Sequence, residues 1–239
     1  MGSGIFITGT DTGVGKTLVA CGLAASLRDL GYKVGVMKPA ETGCEEKDGK
    51  RFPQDAIHLK EASGCEEPLE KICPYQLRDP VAPGVAAARE GVRIDVPAIC
   101  KIYEDISSSH DITLVEGAGG LLVPLLPHYT YADLAGLLKL PLLVVAANRL
   151  GMINHLILTM EHASCRALRV LGYILNQLEN RPSLAAETNG EALRTLTAVA
   201  CLGEIPYLEP EAKGDSLAAL FAERINFRLL QAGLPRRSH

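Results

Sequence analysis

The residues with the clearest chemical purpose lie near the N-terminus, in the segment 10–17, Thr-Asp-Thr-Gly-Val-Gly-Lys-Thr. This segment fits the phosphate-binding pattern G-x-x-x-x-G-K-[ST], apart from Thr10 in place of the first glycine. Backbone N–H groups of such a loop contact phosphate oxygens, and the following helix N-terminus adds a favourable dipole. Lys16 can reach the β- and γ-phosphates, and the Thr17 hydroxyl can ligate Mg²⁺. The segment therefore predicts a nucleoside triphosphate site, and a glycine-rich turn without a ligand is the less favoured interpretation.

Two acidic residues are candidates for a metal ion that accompanies the nucleotide. Glu116 directly follows the apolar run 112–115 and precedes Gly-Ala-Gly-Gly at 117–120. A carboxylate at the carboxyl end of a buried strand stands where a second Mg²⁺ ligand is needed. The alternative for Glu116 is a solvated acid on a turn. Asp55 begins a helix-like run, 55–62, so its spacing favours a helix cap.

Three further positions each allow two interpretations. Lys38 ends a predicted strand, where it either neutralises a transferring phosphoryl group or is simply exposed. The segment 151–155, Gly-Met-Ile-Asn-His, opens a predicted helix whose free N–H groups either bind a carboxylate or are capped in the ordinary way. His155 itself is expected to be packed or solvated. Asn176 follows another predicted strand, where it either pairs with an adenine edge or is an ordinary turn residue.

The pattern of apolar residues predicts the scaffold that positions these groups. Apolar runs alternate with helical patterns, which indicates an α/β fold: a P-loop NTPase-like parallel sheet with helices on both faces. Ligands bind such sheets beyond the carboxyl ends of the strands. The predicted strands are 5–7, 33–37, 112–115, 142–146, 170–174 and 199–202. The predicted helices are 16–30, 96–107, 131–138, 152–168 and 183–196.

The chain is expected to form a single domain over residues 1–239, with a flexible tail at 233–239. The segment 41–97 is rich in glycine and proline and shows little periodicity. A loop region of this length inside a compact domain usually carries a function or caps a site.

Composition disfavours several kinds of partner. A net charge of -4 and a pI near 5.9 provide no basic field for a nucleic-acid backbone or an anionic membrane. The longest apolar runs, such as 140–147, are too short to span a bilayer and suit buried parallel strands. Seven cysteines without a C-x-x-C pair are typical of reduced thiols, and the N-terminus shows no export signal. We therefore expect a soluble cytoplasmic protein with no nucleic-acid or membrane partner.

Taken together, the motifs resemble those of the dethiobiotin synthetase family. The matching segments are 8–17, 38–43, 54–56, 115–120, 150–155 and 203–206, in the family's order and spread over nearly the whole chain. Many ATPases share the P-loop, whereas its combination with Lys38-Pro39, with Glu-Gly-Ala-Gly-Gly at 116–120 and with the Gly151 segment is far more specific. The resemblance implies ATP- and Mg²⁺-dependent carboxylation and ring closure of 7,8-diaminononanoate with CO2. The reaction would pass through a carbamate and a carbamic-phosphoric anhydride and yield dethiobiotin, ADP and phosphate.

The resemblance also implies roles for individual residues, and it replaces the capping interpretation of Asp55. The catalytic groups would be Lys38, Lys16 and Thr12. Mg²⁺ would be held by Thr17, Asp55 and Glu116. ATP would contact Gly13, Val14, Gly15, Lys16, Thr17, Leu18, Asp55, Glu116, Gly117, Ala118, Gly119, Asn176, Gln177, Ile205, Pro206 and Tyr207. The substrate would contact Thr42, where the family often has Ser, and also Gly151, Met152 and Asn154, whose helix start would bind its carboxylate across a homodimer interface.

Three positions depart from the family's pattern. Gly13 stands where some members carry an acidic residue, Gly84 where many have His, and Gln177 where some have an acidic residue.

Two other families share a loop of this kind. Regulatory ATPases of the MinD/ParA type usually carry an extra lysine early in the loop, where this chain has Asp11, and often need a basic membrane helix that the segment 216–230 does not provide. Cobyrinate-type amidotransferases add a glutaminase domain, for which 239 residues leave no room.

Overall fold

The computed structural model describes residues 3–181, 183–209 and 215–232; the predicted tail at 233–239 lies outside the described residues. The described strands are β1 (Ser3–Gly9), β2 (Val34–Met37), β3 (Ala40–Glu41), β4 (Glu45–Lys47), β5 (Lys50–Phe52), β6 (Tyr75–Gln76), β7 (Ile112–Gly120), β8 (Pro124–Leu126), β9 (Tyr129–Thr130), β10 (Leu142–Ala147), β11 (Val170–Asn176) and β12 (Cys201–Ile205). The described helices are α1 (Lys16–Asp29), α2 (Gln54–Ser63), α3 (Leu69–Ile72), α4 (Pro83–Arg89), α5 (Val96–Ser109), α6 (Tyr131–Leu137), α7 (Met152–Cys165), α8 (Leu184–Leu196), α9 (Asp215–Arg224) and α10 (Phe227–Ala232).

A parallel sheet of six strands forms the centre of the protein, in the order β12-β11-β10-β1-β7-β2. Because all its strands run the same way, the loops that follow β1, β2, β7, β10 and β11 leave from one edge. β1 lies between β10 and β7, so the P-loop stands in the middle of that edge. The predicted α/β fold is confirmed. None of the described helices combines the length and the apolar character that a bilayer crossing requires.

Helices cover both faces of the sheet, as successive residues of β1 show. Ile5 and Ile7 are fully buried in one core, which they share with Leu23 of α1. Phe6 points to the opposite face and is buried in a second core, where its ring centroid lies 6.1 Å from that of Tyr131 in α6. This alternation is the period-2 pattern of a strand that is buried on both sides.

Several predicted boundaries need correction. The strand predicted at 199–202 is β12, Cys201–Ile205, because its pairing with β11 continues until Ile205 lies opposite Asn176. Gly203 and Glu204 within it concealed the strand from a search for apolar runs. The helix predicted at 152–168 ends at Cys165, since Ala167 adopts a left-handed conformation with φ of 53°. The strand predicted at 112–115 is β7, which runs on to Gly120, so Glu116 lies within the strand, opposite Ile7 of β1. The remaining predicted elements are present with small shifts of their ends.

The interpretation of 41–97 as a loop region is wrong for much of its length, since α2, α3, α4 and the short strands β3 to β6 lie within it. Four of its six prolines mark helix starts. Pro53 and Pro68 precede α2 and α3, Pro83 is the first residue of α4, and Pro97 lies in the first turn of α5. Proline has no N–H to contribute, and the first helical turn does not need one.

Helix α2 receives its N-terminal cap from Glu41 at the end of β3. The two carboxylate oxygens of Glu41 accept the backbone N–H groups of Asp55 at 2.9 Å and Ala56 at 3.0 Å. The residue that precedes the helix, Pro53, has no side chain able to do this. The capping interpretation of Asp55 is therefore wrong, and its carboxylate is available to other elements. Burial, aided by nearby Asp55, raises the pKa of Glu41 to about 7.

We expect the Glu41→Gln variant to gain stability relative to the metal-free wild type as the pH rises from about 5 to about 8. The pKa of Glu41 is higher in the folded chain than its ordinary value of 4.5, so proton binding favours folding below that range and this contribution is lost as the pH passes the folded pKa of about 7. The full change amounts to about 3.5 kcal/mol at most, at about 1.4 kcal/mol per pKa unit. Urea unfolding of both proteins across this range measures it, and a difference independent of pH would contradict the assignment.

Candidate active site

The P-loop joins β1 to α1, and α1 begins at Lys16 after Gly15 in a left-handed conformation with φ of 87°. A Cβ atom at Gly15 would lie 2.1 Å from Asn176 Nδ2, so a side chain cannot be accommodated there. Asn176 Nδ2 donates to the Val14 carbonyl at 3.0 Å. The end of β11 thus holds the backbone of the phosphate loop in place.

Asn176 is fully buried, so the interpretation as an ordinary turn residue is wrong. Within the described part of the chain, its Oδ1 atom is buried and has no hydrogen-bond partner. A buried amide oxygen without a partner is costly, and a ligand donor would remove that cost.

Lys38 lies between two carboxylates at the centre of the site. Its Nζ donates to Asp55 Oδ2 at 2.7 Å and to Glu116 Oε1 at 2.5 Å, and lies 3.4 Å from the Gly117 carbonyl. The Thr17 hydroxyl donates to the same Glu116 oxygen at 2.8 Å. Lys38 is 2% exposed and Glu116 1% exposed. The interpretations of Lys38 as an exposed strand-end lysine and of Glu116 as a solvated acid are therefore wrong.

The charges of this cluster stabilise one another. Burial alone would lower the pKa of Lys38, but Glu116 and Asp55 outweigh it and raise that pKa above its ordinary value. Burial alone would raise the pKa of Asp55, but Lys38 outweighs it and lowers that pKa. Burial, together with the charge of Lys38, lowers the pKa of Lys16. Two lysines and two carboxylates thus meet at the phosphate loop with nearly balanced charge.

A cavity of about 510 Å³ joins the phosphate loop to this cluster. Predicted site residues form most of its lining, which comprises Thr12, Gly13, Gly15, Lys16, Thr17, Lys38, Glu41, Thr42, Asp55, Pro80, Val81, Ala82, Pro83, Glu116, Ala118, Gly119 and Val123. Anion-binding groups and carboxylates therefore share one space with the apolar side chains of Pro80, Val81 and Val123. Such a space can hold a phosphate chain and a partly apolar second ligand together.

The donor atoms of the residues predicted to hold Mg²⁺ are of the kind that a hard cation binds. Thr17, Asp55 and Glu116 supply only oxygen, which Mg²⁺ prefers. Among the described residues, Glu116 Oε2 is buried without a hydrogen-bond partner, so one carboxylate oxygen is left over for a ligand. The described residues contain no group of three or more His, Cys, Asp or Glu arranged for a metal. A cation here would accordingly draw on the threonine hydroxyl and on its own water or phosphate oxygens.

The other predicted contacts lie outside the main cavity. Gln177, Ile205, Pro206 and Tyr207 line a second cavity of about 430 Å³ at the ends of β11 and β12. Met152 lines a third, of about 250 Å³, beside Val14 of the phosphate loop. Gly151 and Asn154 are exposed at the start of α7, and Leu18 and Gly117 lie beside the main cavity without lining it. The phosphate and metal groups are thus brought together, whereas the Gly151 segment does not reach the main cavity within one copy of the chain.

No signal in the sequence singles out Glu41, whereas the wall formed by Pro80, Val81 and Ala82 directly precedes Pro83 and Gly84, a position that departs from the family's pattern. Glu41 lies within the motif 38–43, yet nothing in its spacing connects it with α2. Gly84, which departs from the family's pattern, is explained by packing, since a Cβ atom there would lie 2.9 Å from the Leu125 carbonyl. The start of α4 therefore packs directly against β8 with no room for a side chain.

Solved structures of similar fold include MinD from Pyrococcus horikoshii, determined with Mg-ADP, and a ParA family ATPase from Chlorobium tepidum. The first has a TM-score of 0.57 and 18% identity, covering 93% of this chain and 96% of that chain. The second has a TM-score of 0.56 and 15% identity, covering 93% of each chain. At such identities the likeness establishes the P-loop ATPase fold.

Comparison with protein families and curated sequences is more specific. A family model described as an AAA domain matches residues 3–213. The ATP-dependent dethiobiotin synthetase BioD of Anaeromyxobacter sp. strain K is 41% identical over 226 residues, or 94% of this chain and 99% of that protein. The protein of the same name from Thermodesulfovibrio yellowstonii is 40% identical over 216 residues, or 87% of this chain and 90% of its own length. The chain therefore belongs to the ATP-dependent dethiobiotin synthetase family.

Proposed function

We propose that this protein makes dethiobiotin by carboxylating 7,8-diaminononanoate with CO2 and closing the ureido ring at the expense of ATP. One observation carries the proposal: the phosphate-loop residues Lys16 and Thr17 share a single cavity with Lys38, held between Asp55 and Glu116. A regulatory ATPase needs Lys16 and Thr17 to bind its nucleotide. Lys38 and the adjoining apolar wall suit, in addition, a reaction with a small molecule. The seven free cysteines are consistent with a cytoplasmic enzyme.

The reaction divides into three bond changes. One amine of the substrate adds to CO2 and loses a proton, which gives a carbamate. A carbamate oxygen attacks the γ-phosphorus of ATP, so that ADP leaves and a carbamic-phosphoric anhydride forms. The second amine then attacks the carbamate carbon. The bond between that carbon and the bridging oxygen breaks, phosphate leaves with the oxygen, and the ring closes with loss of a second proton.

The cavity residues have distinct parts in this scheme. Lys16 would neutralise the β- and γ-phosphates, and Lys38 the charge shared by the carbamate and the transferring phosphoryl group. Thr12 and Thr42 line the same cavity and would hold the carbamate and the diamine by hydrogen bonds. Mg²⁺ held by Thr17, Asp55 and Glu116 would offset phosphate charge when bound. Gly13, Gly15, Ala118 and Gly119 would let the backbone approach the phosphates.

The base of ATP would lie toward the ends of β11 and β12. Asn176 Oδ1 would accept a hydrogen bond from the amino group of adenine. This proposal is supported by the burial of that oxygen, which has no hydrogen-bond partner within the described residues. Gln177, Ile205, Pro206 and Tyr207 line the adjoining cavity. The likeness to MinD and ParA supports no second function, because it extends only to the fold and Asp11 stands where those ATPases usually carry a lysine.

Incubation of the purified protein with 7,8-diaminononanoate, bicarbonate and Mg-ATP should release phosphate and dethiobiotin in equal amounts. Phosphate release by a coupled assay and product by mass spectrometry give the ratio, and omission of the diamine should abolish most of the turnover. ATP turnover that does not depend on the diamine would refute the proposed function.

Replacement of Lys38 by Ala should lower kcat about 100-fold or more, because its charge acts on reacting groups. The dissociation constant of ADP, measured by calorimetry, should change only a few-fold. Lys101→Ala, at an exposed lysine of α5, serves as the control and should leave both quantities unchanged. An equal loss of nucleotide binding and turnover in Lys38→Ala would contradict this role.

We further propose that the active site is completed in a homodimer, in which the helix start at Gly151, Met152 and Asn154 binds the substrate carboxylate of the neighbouring subunit. Leu150, just before that helix, is 86% exposed, and a second copy that covered it would remove its apolar surface from water. Leu150→Asp should dissociate the dimer in analytical ultracentrifugation and raise the KM for the diamine. Leu184→Asp, at a leucine of α8 that is 76% exposed, should do neither. A fully active wild-type monomer would refute the shared site.

A further inference from the structure

One wall of the active-site cavity is a segment without helix or strand. Residues 78–82, here called the wall segment, connect β6 to α4. Pro80, Val81 and Ala82 of this segment line the cavity. Its last residue, Ala82, accepts the backbone N–H groups of Val85 at 2.8 Å and Ala86 at 2.9 Å at the start of α4. Residues 78–81 make no helical or ladder hydrogen bonds within the described chain, so their position depends on side chains that bind their backbone.

Glu90, the residue that directly follows α4, provides the main contact of this kind. Its Oε1 accepts the backbone N–H groups of Arg78 at 2.7 Å and Asp79 at 3.1 Å. The Glu90 side chain is only 4% exposed. A buried carboxylate that accepts two N–H groups makes short, strong hydrogen bonds and fixes the first two residues of the wall segment.

Arg51 of β5 fixes Glu90 in turn. Arg51 Nη1 lies 2.6 Å from Glu90 Oε2 and donates to the Gln76 carbonyl of β6 at 2.5 Å. The β4–β5 hairpin, β6 and the end of α4 are thereby joined at one point. Burial would raise the pKa of Glu90, but the N–H groups of Asp79 and Arg78 together with Arg51 outweigh it and lower that pKa. The carboxylate is therefore charged in the folded protein.

A second ion pair, Arg89 with Asp79 at 2.5 Å, also touches the wall segment. Arg89 is largely exposed, and exposed pairs of this kind contribute little. The buried Glu90 carboxylate is consequently the main side-chain contact that holds the first two residues of the wall segment.

We propose that Glu90 and Arg51 are positioning residues that hold the wall segment where it packs against the hydrocarbon chain of the substrate. The substrate class rests on the proposed function. Neither residue lines the cavity, so both act through Pro80, Val81 and Ala82. The groups assigned to the phosphates, Lys16 and Thr17, belong to another part of the chain and do not depend on this contact.

Replacement of Glu90 by Ala should raise the KM for 7,8-diaminononanoate about 10-fold while the KM for ATP stays within about twofold, since misplacement of a positioning wall weakens one ligand selectively. Arg51→Ala should act in the same direction. Glu90→Gln, which keeps an acceptor oxygen for Arg78 and Asp79 but loses the charge, should give a smaller rise. Calorimetric binding of the diamine to the protein without ATP should weaken in the same order.

Glu67→Ala is the matched control, because Glu67 pairs with Lys71 at 3.0 Å, and Lys71 is 28% exposed, as is Arg51. It should change neither KM. If Glu90→Ala does not fold, Glu90→Gln and Arg51→Ala decide. An unchanged KM for the diamine in the folded variants, or equal changes for both substrates, would overturn the proposal. Wild-type protein that neither binds nor consumes the diamine would instead refute the proposed function on which the substrate class rests.

Discussion

The contact on which the site depends is the placement of the Lys38 ammonium between the carboxylates of Asp55 and Glu116. Removing ions from water costs several kcal/mol each, and only close opposite charges and hydrogen bonds offset that cost. Lys38 and Glu116 are almost wholly buried, and Asp55 and Glu116 together raise the pKa of Lys38 above its ordinary value despite that burial. A cluster of this kind has little value for stability compared with an apolar core, so its presence at the phosphate loop points to chemistry.

The sheet explains how such distant residues meet. β1, β2 and β7 are neighbours in a parallel sheet. The phosphate loop and Lys38 follow the carboxyl ends of β1 and β2, and Glu116 lies within β7, opposite Ile7 of β1. Asp55 comes from outside the sheet, and Glu41 fixes it by capping α2. Asn176 does the same for the phosphate loop by binding the Val14 carbonyl. Asp55 and the phosphate loop are therefore each held in place by a residue from another element.

The chain separates the binding of phosphate from the fit to the second ligand. The phosphate-binding loop has a backbone that is held in place at Gly15 by Asn176. The apolar wall at Pro80, Val81 and Ala82 depends on Glu90 and Arg51, which belong to other elements. Changes in the wall can thus alter the fit to a small molecule while the nucleotide site is retained.

Local patterns in the sequence determined the phosphate loop, the alternation of strands and helices, and the buried apolar run that leads into Glu116, because each depends on neighbouring residues. The prolines of 41–97 misled for the same reason, since they mark helix starts as readily as loops. Only the tertiary structure decided that Asp55 pairs with Lys38, that Glu41 caps α2, and that Lys38 is buried. Lys38 and Glu116 are separated by 78 positions, and Glu41 and Asp55 by 14. Contacts across such separations arise from the packing of the sheet and its helices, and no local periodicity encodes them.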